Sequence, residues 1–122
     1  MAAYALAHVC RVTIGPEIVA YLEGLDATLV PFKGRFLVHG DVPEILEGRW
    51  TGHVIIIEFP DISAARAWYQ SPAYQAIVRL RTDHSDGDCI LVPGVQEGHR
   101  ATDILSAMEA LPKQAASETE LR

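Results

Sequence analysis

The sequence predicts an α+β protein of the ferredoxin-like βαββαβ class, with a four-stranded antiparallel sheet and helices on one face. Strand-like and helix-like segments follow one another in the order of the split βαβ unit. A run that is apolar at nearly every position, 54–59, has the character of a strand buried on both faces. Apolar residues in the segment 16–29 recur at three- and four-residue steps, as they do on a helix that covers a sheet.

The start of the chain predicts a strand followed by a helix. Residues 4–13 are rich in small apolar and β-branched residues, which favours strand one. Pro16 suits the first turn of a helix, where its missing N–H has no helical partner in any case, and predicts a helix over 16–29. The apolar stripe of this helix consists of Ile18, Tyr21, Leu22, Leu25 and Leu29. Such a stripe is expected to face the sheet.

The next two segments predict strands two and three. A break at Lys33-Gly34 precedes a short strand at 35–39. The glycine and proline in the sequence 40–43 indicate that strand two is interrupted or bulged. Strand three is expected over 52–59, where Pro60 ends it.

Two helical segments are predicted after strand three. Asp61 is a suitable N-cap for the first of them, at 61–70. Proline in a helix interior removes a hydrogen bond and clashes with the preceding turn. Ser71 as N-cap and Pro72 as first residue are therefore expected to start a second segment over 72–82.

A turn at 83–87 and strand four at 88–95 complete a predicted domain that spans 1–97. The remaining residues, 98–122, are expected to form a C-terminal helix and a disordered tail. The segment 101–111 places apolar residues on one helical side, namely Ile104, Leu105, Met108 and Leu111. This side is expected to pack against the domain or against a partner.

Composition and charge exclude several classes of protein. The chain has 122 residues, of which 49% are hydrophobic, and is long enough for one core. A net charge of −6 gives no basic surface for nucleic acid. No membrane span or secretion signal is apparent, so we expect a cytoplasmic protein that binds neither nucleic acid nor membranes. In that compartment Cys10 and Cys89 are expected to be reduced thiols.

The predicted sheet has apolar residues on both faces. Strands one, three and four carry few polar residues at either parity, so the face without helices would expose an apolar surface. A second subunit is the simplest cover for such a surface. The sequence therefore predicts a homodimer whose two sheets face each other.

Glu58 is the leading candidate for a catalytic residue. It lies beside an apolar strand interior, where a carboxylate must be hydrogen-bonded, paired or protonated, and where burial favours a general base. Strand parity places it on the face opposite Ile55, Ile57 and Phe59. The alternative is a structural partner for Arg35.

Several aromatic and polar residues are candidates for a ligand pocket. Tyr74 follows the predicted helix break and is a candidate proton donor or orienting partner of Glu58, with a core position as the alternative, whereas Trp68 is assigned to the core. Arg35 is a candidate anion-holding residue, with a surface or carboxylate-paired role as the alternative. The predicted ligand-binding residues are Arg35, Trp50, Tyr69, Ser71 and His8.

No metal or cofactor is expected. His8 and Cys10 share a strand face at a spacing of two, which matches no closed zinc pattern. The sequence contains neither a P-loop nor a Gly-x-Gly-x-x-Gly turn after a strand.

Several short motifs, in their order and spacing, resemble a known family. They are Gly34-Arg35-Phe36-Leu37-Val38, Leu46-Glu47-Gly48-Arg49-Trp50, Ile57-Glu58-Phe59-Pro60 and Trp68-Tyr69-Gln70-Ser71-Pro72-Ala73-Tyr74-Gln75. They resemble the family catalogued as domain of unknown function 1330, which implies a dimeric α+β barrel. That superfamily includes cofactor-independent oxygenases, isomerases, dehalogenases and binding modules, so the fold does not select a chemistry. The resemblance also implies neighbouring antiparallel strands for Cys10 and Cys89, which allows a contact between them.

Together these observations lead to one functional hypothesis and one alternative. The hypothesis is a homodimer that binds a small, partly apolar organic molecule between sheet and helices. As an enzyme it would use Glu58 as base, Tyr74 as its partner and Arg35 to hold an anion, for proton abstraction, isomerisation or cofactor-free oxygenation. The alternative is a noncatalytic module that binds a small molecule or docks a partner.

Overall fold

The computed structural model describes residues 1–109 and has the predicted ferredoxin-like arrangement. Its strands are β1 (Ala3–Val12), β2 (Arg35–His39), β3 (His53–Phe59) and β4 (Ser85–Pro93). They form a four-stranded antiparallel sheet in the order β2-β3-β1-β4. Its helices are α1 (Pro16–Leu29), α2 (Ile62–Gln70), α3 (Pro72–Gln75), α4 (Val78–Thr82) and α5 (Ile104–Glu109). The predicted α+β class is confirmed.

The helix α1 has the predicted bounds, and a tight turn connects it to β2. A 3₁₀ turn at Val30–Phe32 follows, and Lys33 adopts a left-handed conformation with φ of 58°. The Gly34 N–H then donates to the Leu29 carbonyl at 3.1 Å. A Cβ at Gly34 would lie 2.8 Å from the Phe59 ring, so only glycine lets the backbone pass this close to the core.

The pairing register separates the two faces of the sheet. Ile57 and Phe59 are buried beneath the helices, and Glu58 between them points to the other side, as strand parity predicts. Paired residues on that side form what we call the open sheet face, comprising Tyr4, Leu6, His8, Arg35, Val38, Val54, Ile56, Glu58, Ile90 and Val92. The register of β2 shifts between Phe36 and Val38, so the strand is irregular as predicted, but the shift lies before the segment 40–43 from which the irregularity was predicted.

An aromatic cluster holds the helices on the sheet. Trp68, Tyr74 and Phe59 are the largest fully buried side chains. The Trp68 ring centroid lies 5.3 Å from that of Phe59 and 4.2 Å from that of Tyr74. The indole N–H of Trp68 donates to the Thr28 hydroxyl at 3.0 Å, and this hydroxyl donates to the Leu25 carbonyl at 2.7 Å. The cluster therefore joins α1 to α2 through a fully satisfied buried polar chain.

The segment 72–82, predicted as one helix, is divided into α3 and α4. Ser71 caps α3 as predicted, since its hydroxyl accepts from the Tyr74 N–H at 3.2 Å. At Ile77 the backbone tightens into three-residue turns, with φ of −116° and hydrogen bonds from Ile77 to Tyr74 and from Leu80 to Ile77. The side chain of Ile77 packs at Gly24 of α1. The helix is thus interrupted at a residue that packs against α1, although no proline or glycine is present at this point.

The start of β4 also differs from the prediction. The segment 83–87 was expected to be a turn, but the strand begins at Ser85. Beyond a register shift, β1 remains paired with β4 through Arg11 with Asp86 and Val12 with Ser85. The longer ladder satisfies backbone groups that a turn would leave to solvent.

The helix α5 does not pack on the domain. Ile104, Leu105 and Met108 are 52%, 58% and 55% exposed, so the packing expected of them is not made within residues 1–109. Packing against a partner stays a prediction, and both Leu111 and the expected disordered tail lie outside the described residues. No helix within residues 1–109 is long and apolar enough to cross a membrane.

The Thr28 hydroxyl provides a test of the aromatic cluster. Thr28→Val keeps the shape of the side chain but leaves the buried Trp68 N–H without an acceptor, so we expect a loss of about 1–3 kcal/mol in the free energy of unfolding. Urea denaturation measures this loss. Thr82→Val on the exposed surface of α4 is the control and should change stability little. Equal effects of the two substitutions would contradict the assignment.

Candidate functional site

A cavity of about 310 Å³ lies between α1 and the sheet. Its floor contains Ala5, Ala7 and Val9 of β1, whose small side chains leave space above the central strand. The helix α1 packs on α3 and α4 and does not fill this space between itself and β1. The volume is at the lower end of the range of about 300–1,000 Å³ that is usual for small-molecule sites.

The cavity is open to solvent and has few polar groups. Val12, Ile14 and Leu22 line it and are 39%, 71% and 46% exposed, so they mark its opening. Its polar side chains are Tyr21, Tyr74, Arg81, Ser85, Cys89, His39 and His53. Among the described residues no Asp or Glu lines the cavity. Its walls therefore suit an apolar molecule with a small number of polar atoms.

Two tyrosines and an arginine form a hydrogen-bonded group on the cavity wall. The Tyr21 and Tyr74 hydroxyls are 2.8 Å apart, and Arg81 donates to the Tyr74 hydroxyl over a long distance of 3.5 Å. The Arg81 guanidinium also lies 5.8 Å from the centre of the Tyr21 ring, within reach of a cation–π interaction. If Tyr74 accepts from Arg81 and donates to Tyr21, the Tyr21 hydroxyl hydrogen remains free for a bound molecule.

Burial sets the protonation of this group. It raises the pKa of Tyr21 well above its usual value, an effect that Tyr74 reinforces and Arg81 opposes. Burial alone would lower the pKa of Arg81, but Tyr74 and Tyr21 outweigh it and the pKa is raised. At neutral pH the cavity wall therefore presents a neutral Tyr21 phenol beside a charged guanidinium.

The polar residues of the cavity lie towards two different edges of the sheet. Cys89 and Ser85 are on β4, and Arg81 lies close enough to the Cys89 thiol to interact with it electrostatically. His39 is on β2, where its ring stacks on Phe36 with centroids 4.3 Å apart. Because β2 and β4 are the outer strands of the sheet, the cavity reaches across its whole width.

Only one of the predicted site residues lines this cavity. Tyr74 is 1% exposed and belongs to the hydrogen-bonded group described above. Tyr69 packs beside it, with its ring 5.4 Å from that of Tyr74 and 6.0 Å from that of Trp68, but does not line the cavity. Ser71 caps α3 and donates to the Trp68 carbonyl at 2.7 Å. Both residues support the position of Tyr74.

Glu58 and Arg35 lie together on the open sheet face, away from the cavity. The Arg35 Nε donates to Glu58 Oε1 at 2.8 Å, and a second guanidinium nitrogen lies 2.7 Å from the same oxygen. The structure therefore corresponds to the alternative in which Glu58 is the ion-pair partner of Arg35. Glu58 and Tyr74 are on opposite faces of the sheet, so the base and partner expected from the sequence do not meet within one chain.

His8, Trp50 and Cys10 form a separate cluster at the end of the open sheet face. The His8 ring lies 4.6 Å from that of Trp50 and hydrogen-bonds the Thr51 carbonyl. The Cys10 sulfur is 3.8 Å from His8 Nε2. Cys89 pairs with Ala7 and faces the cavity, so the contact between the two cysteines that the resemblance allowed is not made. Within residues 1–109 no three potential metal ligands come together.

The sequence reasoning missed Tyr21 and Arg81. Tyr21 was assigned to the apolar stripe of α1, and Arg81 was not considered. In the single helix that the sequence predicts over 72–82, Tyr74, Val78 and Arg81 are spaced by four and then three residues. This spacing is the signal that places Arg81 on the same helix face as Tyr74. The alanines at positions 5 and 7 of β1 were a second signal, because small side chains leave space between the strand and the helices that cover it.

Comparison with known proteins identifies a family. Residues 2–95 match the family described as Domain of unknown function (DUF1330), which confirms the resemblance seen in the motifs. Comparison with curated proteins finds no match.

Solved structures share the fold at low sequence identity. A protein of unknown function from Rhodopseudomonas palustris, RPA0582, is 18% identical, with a TM-score of 0.59 over 78% of this chain and 83% of that chain. A dimeric ferredoxin-like protein of unknown function from Jannaschia sp. CCS1 is 14% identical, with a TM-score of 0.61 over 77% of this chain and 100% of that chain. SnoaB, a cofactor-independent oxygenase from Streptomyces nogalater, is 16% identical, with a TM-score of 0.50 over 81% of this chain and 97% of that chain.

The raised pKa of Tyr21 predicts a stability change at alkaline pH. Above about pH 10 an unfolded tyrosine loses its proton while the folded Tyr21 keeps it, so the free energy of unfolding falls as pH rises. Tyr21→Phe removes this contribution. The free energy of unfolding of the variant, measured by urea denaturation between about pH 9 and pH 11, should fall less steeply than that of the wild type. Parallel pH profiles would contradict the prediction.

Proposed function

The chain belongs to the family described as domain of unknown function DUF1330, and we propose that it binds a small, predominantly apolar organic molecule in the cavity between α1 and the sheet. The proposal includes a homodimer formed through the open sheet face. It assigns the cavity to the ligand and the opposite face of the sheet to the partner subunit.

One observation carries the binding proposal: an apolar cavity contains a single hydrogen-bonded group of Tyr21, Tyr74 and Arg81 on its wall. An apolar pocket with a few convergent polar groups is the usual form of a small-molecule site. The apolar walls supply most of the contact area, and the polar group orients the molecule. The cavity opens to solvent past Ile14 and Leu22, so the binding proposal does not require that solvent be excluded from it.

The dimer proposal is supported by the chemistry of the open sheet face. Leu6 pairs with both Ile56 and Ile90 across three adjacent strands, and Ile90 is 52% exposed. A contiguous apolar surface of this kind usually marks an interface. The Jannaschia protein, which shares the fold, is described as dimeric. A facing sheet from a second subunit would cover the surface.

In this dimer Glu58 and Arg35 serve the interface. Their side chains are 23% and 69% exposed in one chain, and a facing sheet would remove further water from them. A buried carboxylate requires a paired cation, and Arg35 supplies it. We therefore propose a structural role for the pair rather than general-base catalysis on a molecule in the cavity.

A second candidate function is cofactor-independent oxygenation of the bound molecule. SnoaB is described as such an oxygenase and shares the fold. The observation that favours it here is the pairing of a guanidinium with phenols in an apolar cavity, which can stabilise negative charge on an organic substrate. Binding without catalysis remains the first proposal because the cavity and its hydrogen-bonded group support it directly, whereas oxygenation also requires a reaction that this group alone does not specify.

Filling the cavity tests the binding proposal. The neutral fluorescent probe N-phenyl-1-naphthylamine is expected to bind the wild type with increased fluorescence. Ala7→Leu places a larger side chain on the cavity floor and should weaken probe binding at least tenfold while the protein stays folded by circular dichroism. Ala67→Leu, the same change on the exposed surface of α2, is the control and should bind like the wild type. Equal binding by all three proteins would refute the proposed site.

A charge on the open sheet face tests the dimer. Ile56→Glu buries a carboxylate between the two sheets, so we expect the wild type to be dimeric at micromolar concentration and this variant to be monomeric. Light scattering after size-exclusion chromatography measures both. Val19→Glu on α1, at a position that is 46% exposed, is the control and should remain dimeric. A monomeric wild type would defeat the proposal.

A further inference from the structure

Arg81 combines partial burial with the absence of an ion pair, whereas the other arginines of residues 1–109 are either ion-paired or exposed. Arg11, Arg35 and Arg79 each form an ion pair with a carboxylate, at 2.9, 2.7 and 3.4 Å. Arg81 is half-buried; it donates to the Tyr74 hydroxyl and lies over the Tyr21 ring, and it forms no ion pair with an Asp or Glu of residues 1–109. A partly desolvated guanidinium that contacts only neutral groups lacks a counter-charge.

The carboxylates nearest to Arg81 in sequence are engaged elsewhere. Asp83 pairs with Arg79, and Asp86 pairs with Arg11. On the neighbouring helix Glu17 lies 3.7 Å from His84. None of these three carboxylates lines the cavity. The anion that would complement Arg81 is therefore absent from the described cavity wall and has room to enter from solvent.

The position of Arg81 gives the bound molecule a direction. Arg81 lines the cavity with Ser85 and Cys89, at the β4 edge of the sheet. The Phe36 and His39 pair lies at the β2 edge, three strand spacings away, and each spacing is about 4.8 Å. A molecule with its charged end at Arg81 can extend an apolar body of up to about 14 Å across the floor.

We propose that the ligand is a carboxylic acid with an apolar body, and that Arg81 binds its carboxylate. This inference rests on the proposed function and specifies the class of ligand. Guanidinium and carboxylate match in shape and charge, and the Tyr21 hydroxyl can donate a further hydrogen bond when Tyr74 donates to it. A phosphate dianion fits less well, because Arg81 is the only Lys or Arg of the described residues that lines the cavity and one charge would stay uncompensated.

The test compares an acid with its neutral amide. N-Phenyl-1-naphthylamine is bound to the full chain, and 4-phenylbutanoate and 4-phenylbutanamide are each used to displace it at neutral pH. The two competitors share their apolar body, so only the charged group differs. A charge-assisted hydrogen bond predicts that the acid displaces the probe at a concentration about ten- to hundredfold lower than the amide.

Two substitutions assign this difference to Arg81. Arg81→Gln should remove the advantage of the acid, so that acid and amide displace the probe at similar concentrations. Arg79→Gln, on the same helix but 81% exposed, is the control and should retain the advantage. Arg81→Lys keeps the charge without the two-pronged donor geometry and should retain only part of the advantage. If circular dichroism shows that Arg81→Gln does not fold, Arg81→Lys tests the assignment to Arg81 instead.

The outcomes separate this inference from the proposed function. Equal displacement by acid and amide in the wild type overturns the inference but leaves the cavity as a binding site. An undiminished advantage in Arg81→Gln or Arg81→Lys also overturns it. Equal weakening of acid and amide by Arg81→Gln assigns Arg81 a structural role instead. Failure of the neutral probe to bind the wild type overturns the proposed function and this inference together.

Discussion

The small side chains on the helix-facing side of β1 determine where the helices can and cannot meet the sheet. Ala3 and Ala5 are 0% and 3% exposed, and Ala7 continues the row. Phe59 pairs with Ala3 on the neighbouring strand, and its ring packs on that of Trp68. Farther along β1, Ala7 and Val9 form part of the cavity floor, and α1 packs on α3 and α4. The cavity follows from this difference between a filled and an unfilled half of one layer.

Stability and the candidate site share the same aromatic residues. The Trp68 indole joins α2 to Thr28 of α1, while the Tyr74 hydroxyl joins α3 to Tyr21 of α1. These bonds set the height and orientation of α1, and the second of them is also the polar wall of the cavity. Because the two hydroxyls hydrogen-bond each other and the rings are packed, this wall is ordered before any molecule binds. Such preorganisation reduces the entropy cost of orienting a ligand.

The sheet separates two chemistries that the sequence places next to each other. On β3, Ile57 faces the cavity and Glu58 faces the open side, so adjacent residues serve different surfaces. The charged pair of Glu58 and Arg35 and the apolar residues around it form a surface suited to a second sheet. The charge in the cavity comes from Arg81 alone among the Lys and Arg residues of the described chain. The open sheet face and the cavity therefore share no side chain, and the backbone of the sheet lies between them.

By itself the sequence determined the order of elements, the bounds of α1, the caps at Asp61 and Ser71, the irregularity of β2 and the family. These features depend on local periodicity, on proline and glycine geometry and on short motifs, all of which can be read along the chain. The tertiary structure alone decided that Glu58 pairs with Arg35 away from Tyr74. It also decided that the helical segment is interrupted at Ile77 and that Tyr21, Tyr74 and Arg81 meet. The physical reason is that burial and the pairing of polar groups depend on neighbours from distant parts of the chain, and one local pattern is compatible with several such environments.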